Sequence, residues 1–575
     1  MGGVGKSELA LQYALRDKTA QPRRYPGAIC WVNVADQPTV GLDILYFSKS
    51  YLGITTPDDE TLAQKVKFCW RLWPLEDSLI IFDDVRDYGT IKDVLPPDEL
   101  RFKVIITTRK QDLSDTIKTL HVEVLDEESA LDLLRAYLTP ERVSFQLEDA
   151  KGLCRDLGYL PLALELVARF LATKKRKWTI AQMRERLKEE GLKQRSMIEI
   201  SEEATAKRGV EAAFEISWQA LTPEAQKAGC YLSLFANNPI PYSLIETPFL
   251  AVNRDELEEI LEEQLVNLSL LNEQSNNTYQ LHTLIRQYFR QKLEALPDSN
   301  QAKETYCQTM ATVAKKMPET LTKTEIEQYR PVIPHLAIAA QELNQWLKDK
   351  DVIEVYGELG RFYQEQGLYQ EAEPWFENCL SITRERFGDL HLDVAASLTN
   401  LAILFYNQGR YVEAEPLYQE ALALYRKLLG DSHSDVAASL GNLGQLYDKQ
   451  GRYGEAEPLY QEALAMYRKL LGGSHPYVAA SLHNLAGLYD KQGRYEEAEP
   501  LYQKALAIEK QRLGDSHPDV ALSLNNLAHL YRNQERYREA EPLYQEALEI
   551  CEQVLGDNHP LTQKIRDNLA SLGQV

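Results

Sequence analysis

The chain opens on Gly2-Gly3-Val4-Gly5-Lys6-Ser7, residue types that together can bind phosphate. In the pattern G-x-x-x-x-G-K-[ST], glycines let successive backbone N–H groups turn toward phosphate oxygens, the lysine reaches the outer phosphates and the hydroxyl holds magnesium. Gly5, Lys6 and Ser7 fill the last three places, Gly2, Gly3 and Val4 form the loop, and Glu8 follows. The first glycine of the pattern, and the strand that delivers such a loop, would lie before Met1. Taken alone, GGVGKS also suits a flexible, solvated start. Two further groups bear on the choice. Ser78-Leu79-Ile80-Ile81-Phe82-Asp83-Asp84 reads as an apolar strand that ends in two carboxylates. At the C-terminal edge of a parallel sheet these would meet the phosphate loop. Asp83 with Ser7 would then hold Mg2+, directly or through water, and Asp84 would orient an attacking water. An acidic pair after a strand is also an ordinary turn or helix cap. Val104-Ile105-Ile106-Thr107-Thr108-Arg109 brings an arginine to the same edge, although taken alone it is also an ordinary surface cation after a strand.

Gathering these side chains requires a sheet. Apolar runs at Ala28–Val34, Leu79–Phe82 and Val104–Ile106, with a weaker one at His121–Val124, alternate with helix-period stretches at Glu8–Leu15, Val40–Leu52 and Thr61–Trp73. That alternation predicts a parallel sheet flanked by helices, with a helix N-terminus beneath the loop adding positive potential. From about Asp126 to Arg208 the pattern is helical, beginning with Glu127–Leu138 and including a helix opened by Pro161. Val210–Leu221, Ala228–Phe235, Asp255–Leu265 and Thr278–Ile285 form a further unit. Pro297-Asp298-Ser299-Asn300 marks a boundary, and a helical connector runs on to about Lys350.

GGVGKS, LIIFDDV, VIITTR and Gly158-Tyr159-Leu160-Pro161-Leu162-Ala163, in this order and spacing, resemble the NB-ARC family of signal-transduction ATPases within the STAND class. The resemblance implies that Lys6 and Ser7 bind the phosphates and Mg2+ of ADP or ATP, that Asp83 is the magnesium acid and that Arg109 senses the terminal phosphate. It implies too that Pro161 packs against adenine, with Tyr159 standing where leucine is usual. The segment closing on His282 resembles the winged helix of that family, in which a His-Asp pair sits and the histidine touches the β-phosphate of ADP. His282 matches and Thr283 replaces the aspartate; by composition alone His282 reads as a core histidine. The family further implies an ADP-held closed monomer, an ATP-dependent homo-oligomer, and hydrolysis that is at most slow resetting.

Self-comparison gives a second organisation. Val352, Val394, Val436, Val478, Val520 and Thr562 begin successive units 42 residues long. Val394, Leu398, Leu401, Ala402 and Phe405 form one helical stripe, and Ala414, Leu417, Tyr418, Ala421, Leu422 and Tyr425 another, with Gly409 as a helix stop between them. Such a helix pair buries its stripes only by stacking on neighbours. Pro416, Pro458, Pro500 and Pro542 are expected in the first turn of each second helix. The array resembles the tetratricopeptide repeat (TPR) in the longer form found in kinesin light chains. Asn400, Asn442, Asn484, Asn526 and Asn568 recur beside the stripe of the first helix. They either hold the backbone of a bound peptide through their amides or bond neighbouring helices. His391, His433, His475, His517 and His559 recur one per unit, too dispersed for a four-ligand metal site, and are expected to cap the next first helix.

The totals agree with a long, multidomain chain. It has 575 residues and a net charge of -22, which argues against nucleic-acid and anionic-membrane partners; the one basic run, Lys174-Lys175-Arg176-Lys177, reads as a solvated helix end. The seven cysteines are scattered and read as free thiols of a reducing cytosol, and no segment has the pattern of a signal peptide. The expected architecture is multidomain α/β plus all-α. A P-loop parallel sheet lacking its first strand spans residues 1–125, a helical domain 126–208, a winged helix 209–296, a connector 297–351 and an α-solenoid of TPR helix pairs 352–575, with a capping helix last. Two functions are consistent with it: a cytoplasmic ADP/ATP switch whose array senses a protein or peptide, or a peptide-binding adaptor whose nucleotide domain is inactive. A transcription regulator of STAND type would need a DNA-binding domain outside these segments.

Overall fold

The computed structural model describes residues 4–34, 40–57, 60–110, 113–114, 117–173, 178–193, 202–249, 254–274, 277–318, 320–557 and 560–572. Gly2, Gly3, the run 174–177 and His559 lie outside the described residues. The chain forms two compact units, Met1–Trp375 and Phe376–Val575.

The first unit begins with α1 (Lys6–Thr19), β1 (Ala28–Asn33), α2 (Gly41–Leu52), α3 (Leu62–Leu72), β2 (Ser78–Val85) and β3 (Phe102–Thr108). The strands pair in parallel in the order β1-β2-β3, with Trp31 opposite Ile81 and Ile81 opposite Ile105. Leu79 to Phe82 in the central strand are fully buried, as an unbroken apolar run must be when both faces are covered. Ala10 and Ala14 of α1 pack on Leu79 and Ile81, while Thr61 and Gln64 close a capping box at the start of α3. His121–Val124, expected as a strand, has no ladder. The outer edge of β3 has no strand partner among the described residues. A groove of about 1020 Å³, lined by Leu9, Tyr13, Val104, Leu120 and Val122 among others, lies along it. Without a hydrogen-bonded neighbour on either side, an extended segment forms no ladder.

Helices Glu127–Tyr137, Pro161–Thr173, Ile180–Lys193 and Glu202–Ala220 follow. The last runs through the expected boundary between residues 208 and 209. Helix Pro223–Leu232 and a small antiparallel sheet come next, the sheet being β4 (Ile240–Pro241), β5 (Asn272–Gln274) and β6 (Thr278–Gln280) in the order β4-β6-β5. Asp255–Leu265, expected as one helix, is an α-helical turn at Arg254–Glu259 that widens into π-helix over Ile260–Val266. Helix Thr283–Glu294 closes this module. The connector contributes helices Ser299–Ala314, Lys323–Tyr329 and Ile333–Gln341, and the first helix of the array, Val352–Gln364, belongs to the same compact unit.

In the connector, the buried ring of His335 accepts a hydrogen bond at Nδ1 from the Ala236 N–H (3.2 Å) and donates from Nε2 to the Pro239 carbonyl (3.0 Å). Burial holds its pKa down at about 4, partly opposed by the Pro239 bond and assisted by Arg286.

The second unit repeats one motif. Leu392–Asn407 pairs with Tyr411–Leu429, Ser434–Lys449 with Tyr453–Leu471, Pro476–Lys491 with Tyr495–Leu513 and Pro518–Asn533 with Tyr537–Val554, before helix Pro560–Leu572. Gly409, Gly451 and Gly493 turn between the partners with φ of 74°, 74° and 73°, and Glu535 takes the same turn at 62°. At the N-terminus of each of these first helices a histidine is the cap, as at His433, whose Nδ1 accepts the Asp435 N–H (3.2 Å). The prolines do not sit in the first turn: Pro416 and its equivalents lie inside the second helices. Each therefore forgoes one helical bond four residues back, at a carbonyl such as that of the exposed Val412, and the stacking offsets the loss. Successive pairs are stapled by one trio. Tyr447 O–H (3.2 Å) and Arg452 Nη1 (2.7 Å) both donate to Glu415 of the preceding pair, with the guanidinium 4.0 Å from the centre of the Tyr447 ring. The trio recurs as Tyr489, Arg494 and Glu457 and as Tyr531, Arg536 and Glu499.

Two measurements test this account. Glu535 alone among these turn residues has a side chain in the left-handed region, which costs roughly 1 to 2 kcal/mol. Glu535→Gly is therefore expected to stabilise the second unit by about 1 kcal/mol after the glycine's entropy, read as a raised denaturation midpoint. His335 has a folded pKa below its unfolded one, so the unfolded chain binds more protons between about pH 6.5 and 4. Its contribution is complete above pH 6.5 and is lost as the pH falls through that window, by about 1.4 kcal/mol per pH unit. The acid sensitivity of urea unfolding of the first unit should shrink by that slope in His335→Gln.

Candidate functional site

The sheet delivers its acids where β2 ends. Asp83 and Asp84 leave the buried run, and Thr107 of β3 holds both: its hydroxyl donates to Asp83 Oδ1 (2.5 Å) and accepts the Asp84 N–H (2.8 Å). Asp84 sits at φ 53°, a left-handed conformation for a residue with a side chain, and such strain gathers at functional sites. Its Oδ1 lies 3.4 Å from Arg109 Nε at the end of β3, and its Oδ2 is buried without a hydrogen-bond partner. Beside the acids, Gly5 takes φ 87° immediately before α1 and offers no side-chain cap. The first-turn N–H groups of α1 therefore keep their capacity for an anion. Lys6 is half-buried, and its ammonium pKa is lowered by burial and then by Arg109, with Asp84 and Asp83 opposing. Pro161 approaches the loop from the helical segment, 3.9 Å from where a Cβ on Gly5 would stand.

The opposite wall comes from the module that ends in helix Thr283–Glu294. His282 caps that helix, accepting the Leu284 N–H at Nδ1 (3.2 Å). Burial, with Arg109 adding repulsion, lowers its pKa to about 4, so the ring is neutral and its remaining proton is on Nε2, a donor. Asn33, the last residue of β1, reaches across: its side-chain N–H donates to the Asn237 carbonyl (3.2 Å), which also receives Gln280 Nε2 (3.4 Å), and Asn237 Nδ2 donates to Thr283 Oγ1 (3.1 Å). Thr283 thus anchors the wall by a neutral hydrogen bond. Between the two walls lies a cavity of about 530 Å³, lined by Gly5, Lys6, Ser7, Glu8, Asp83, Asp84, Arg109 and His282, with Trp31, Asn33, Thr107 and Asn237.

Sequence order thus scattered, and folding gathers, most of the residues singled out. Val4 is buried behind the loop and lines the neighbouring groove; Pro161 flanks the cavity without lining it. Thr107, Asn33, Asn237 and Gln280 were not anticipated. The hydroxyl before Thr108-Arg109 and the amide ending an apolar strand were the available signals; nothing local in the sequence marks Asn237 or Gln280.

In the array, Asn400, Asn442, Asn484 and Asn526 are half-buried on the first helices, and among the described residues their side chains make no bond to other protein groups. Asn568 differs: its amide donates to Asn525 Oδ1 (2.9 Å) of the preceding unit, which is the structural use. The described histidines show no clustering, and no group of metal-ligating side chains occurs among the described residues. No described helix is long and apolar enough to cross a membrane.

Comparison with known proteins identifies two kinds of domain. The NB-ARC domain model matches residues 1–144, and tetratricopeptide repeat models match 351–427, 393–469, 435–511 and 520–561. Regulatory protein AfsR of Streptomyces coelicolor is 26% identical over 297 residues, covering 50% of this chain and 28% of its own length; the chain thus spans less than a third of that relative. Among solved structures, a STAND protein with a tetratricopeptide repeat sensor from Pyrococcus horikoshii is 18% identical, covering 99% of this chain and 88% of that one at a TM-score of 0.36. The nearly identical TPR-like repeats of a kinesin light chain from Podosopora anserina are 30% identical, covering 35% of this chain and 96% of that one at a TM-score of 0.32 to 0.33. The chain carries an NB-ARC domain over residues 1–144, followed by tetratricopeptide repeats from residue 351 to 561.

Proposed function

We propose that the chain is an adenine-nucleotide-dependent signalling switch in which the helix-pair array senses a protein or peptide ligand. The observation that carries this reading is the two-sided cavity: Lys6, Ser7, Asp83 and Arg109 face it from the sheet and His282 from the closing module. The donor set fits a diphosphate. Lys6 and Arg109 supply positive charge, the α1 N-terminus supplies N–H groups, and neutral His282 supplies an Nε2–H from the far wall. Pro161, beside Gly5 and outside the cavity lining, would pack against a base that extends past the loop. Ser7 and the Asp83 oxygen not held by Thr107 would hold Mg2+, which neutralises phosphate charge. Asp84, tied to Arg109, would orient water for slow hydrolysis that resets the switch.

A ligand gripped from both walls holds them together, so ADP would favour a closed form. An array ligand opens it only by binding the open form more tightly, and reversing a 1:99 equilibrium requires roughly 5.5 kcal/mol of such preference. ATP exchange and assembly of several copies would follow opening. Free, buried cysteines suit action in a reducing cytosol. The bare amides of Asn400, Asn442, Asn484 and Asn526 support the sensing role, and they equally favour a second reading, a peptide-binding adaptor with an inactive nucleotide domain.

Fluorescent ADP titrated into the full chain separates the two. The switch requires saturable binding that falls at least about tenfold in Lys6→Ala, the loss of a charge-assisted phosphate contact; no binding by the wild type leaves the adaptor. For the array, Asn442→Ala with Asn484→Ala is expected to leave the melting temperature within a few degrees, because neither amide bonds the protein, while peptides selected on the wild-type array bind about tenfold or more weakly. A collapse of the fold would instead assign these amides to structure.

A further inference from the structure

The connector supplies two residues five positions apart that hold opposite walls of the cavity. Arg330, at the end of helix Lys323–Tyr329, pairs with Asp43 of α2 at 2.5 Å, and its guanidinium lies 3.9 Å from the centre of the Tyr46 ring. Both partners of the ion pair are 23% exposed, so the pair is shielded and sensitive to loss of either member. Asp43 also accepts the backbone N–H of Asn33, on the edge of β1 turned away from β2. The Asn33 side chain lines the cavity and donates to the Asn237 carbonyl. From the other side, His335 bonds the Ala236 N–H and the Pro239 carbonyl, which bracket Asn237. The bonds form a closed ring: Arg330 to Asp43, Asp43 to Asn33, Asn33 to Asn237, and the 236–239 segment to His335 in the connector.

We infer that the connector is a clamp, in which Arg330 and His335 set the distance between the two cavity walls and so control how readily the cavity opens. The inference deepens the switch reading by naming the element that regulates its site. Its geometry does not depend on which ligand the cavity takes. A further tie extends the clamp toward the array. Lys65 of α3, 2% exposed, donates from Nζ to the Gln366 carbonyl (3.0 Å) in the turn after helix Val352–Gln364. Moving helix Val352–Gln364 would therefore load α3 through Lys65. Asp43 and Arg330 are positioning residues, since neither borders the cavity.

The test uses the full chain with two readouts. Release of fluorescent ADP should accelerate roughly tenfold in Arg330→Gln and in Asp43→Asn, a change that keeps an acceptor for the Asn33 N–H. The double variant should release no faster than the faster single, because both break one link. Independently of nucleotide, hydrogen exchange of residues 234–241 should quicken in both variants, while protection of the buried strand 79–82 and of helix 161–173, in the same compact unit, stays native and reports intact folding. Unchanged exchange at 234–241, with changes confined to 41–52 and 323–333, overturns the clamp, as does a double variant whose effects multiply. If the wild type binds no ADP yet 234–241 responds, the switch reading fails and the clamp stands. Should Arg330→Gln not fold, Tyr46→Leu, which removes only the ring beneath the guanidinium, carries the same exchange test with the same two outcomes.

Discussion

Two cations meet at one partly desolvated wall, and most of the first unit can be understood as the means of keeping them there. Burial and the nearby Arg109 guanidinium both disfavour the Lys6 ammonium. Asp83 and Asp84 offset part of this, but Asp84 is committed to Arg109 and Asp83 to Thr107. Asp84 keeps a left-handed backbone, and its Oδ2 has no hydrogen bond and lies 4.0 Å from Arg86 Nη2. The sheet can hold such an arrangement because β2 is buried on both faces, so its end cannot give way to lessen the strain.

The second unit solves a different problem by repetition. Every described pair is joined to the next through an Arg, a Glu and a Tyr drawn from fixed positions of the repeat, so the stacking geometry is nearly independent of the residues on the first-helix face. Thr399, Gly441, His483 and Asn525 occupy one such position in successive units while the first helices that carry them are each 16 residues long. His483 shows how far the variation reaches: it lies 3.2 Å from Glu509, and both contact Ser523, where the preceding units place Gly441 and Tyr467. A surface that varies over a constant frame is what selective recognition needs, and the frame is polar enough to need no change in the core when the face changes.

Legibility followed the range of the interaction. The 42-residue array could be read from sequence because each stripe, stop and cap lies within one repeat, and β2 because a run covered on both faces is apolar throughout. Asp83, Asp84, Arg109 and His282 were legible as chemistry and converge as expected on one cavity. What escaped were partners set by tertiary approach. Thr107 faces the acids only because β3 registers with β2 as it does, and Asn237 is an undistinguished loop residue until Asn33 reaches it. The prolines were misplaced by about one turn because their helices begin at the tyrosines following the left-handed residue, a boundary that local pattern fixes poorly. His121–Val124 has the composition of a strand, but strand formation depends on an edge to pair with, and composition does not report that.

The same distinction explains why the connector was opaque. Its helices carry ordinary apolar stripes, and nothing in their sequence distinguishes Arg330 or His335 from a surface cation and a core imidazole. Their meaning lies in what they face: a carboxylate that is itself bonded to the edge of β1, and the two backbone groups on either side of Asn237. A clamp built this way is economical in energy. Breaking Arg330 from Asp43 leaves a shielded charge without its partner, a loss measured in several kcal/mol when complete, which is the scale needed to shift a two-state equilibrium from mostly closed to mostly open. No other change in the walls is required, since the remaining contacts between them, Asn33 to Asn237 among these, are neutral hydrogen bonds of about 1 kcal/mol each. Control of the cavity can therefore reside in one charged contact outside it, while the residues that touch the ligand stay fixed for binding.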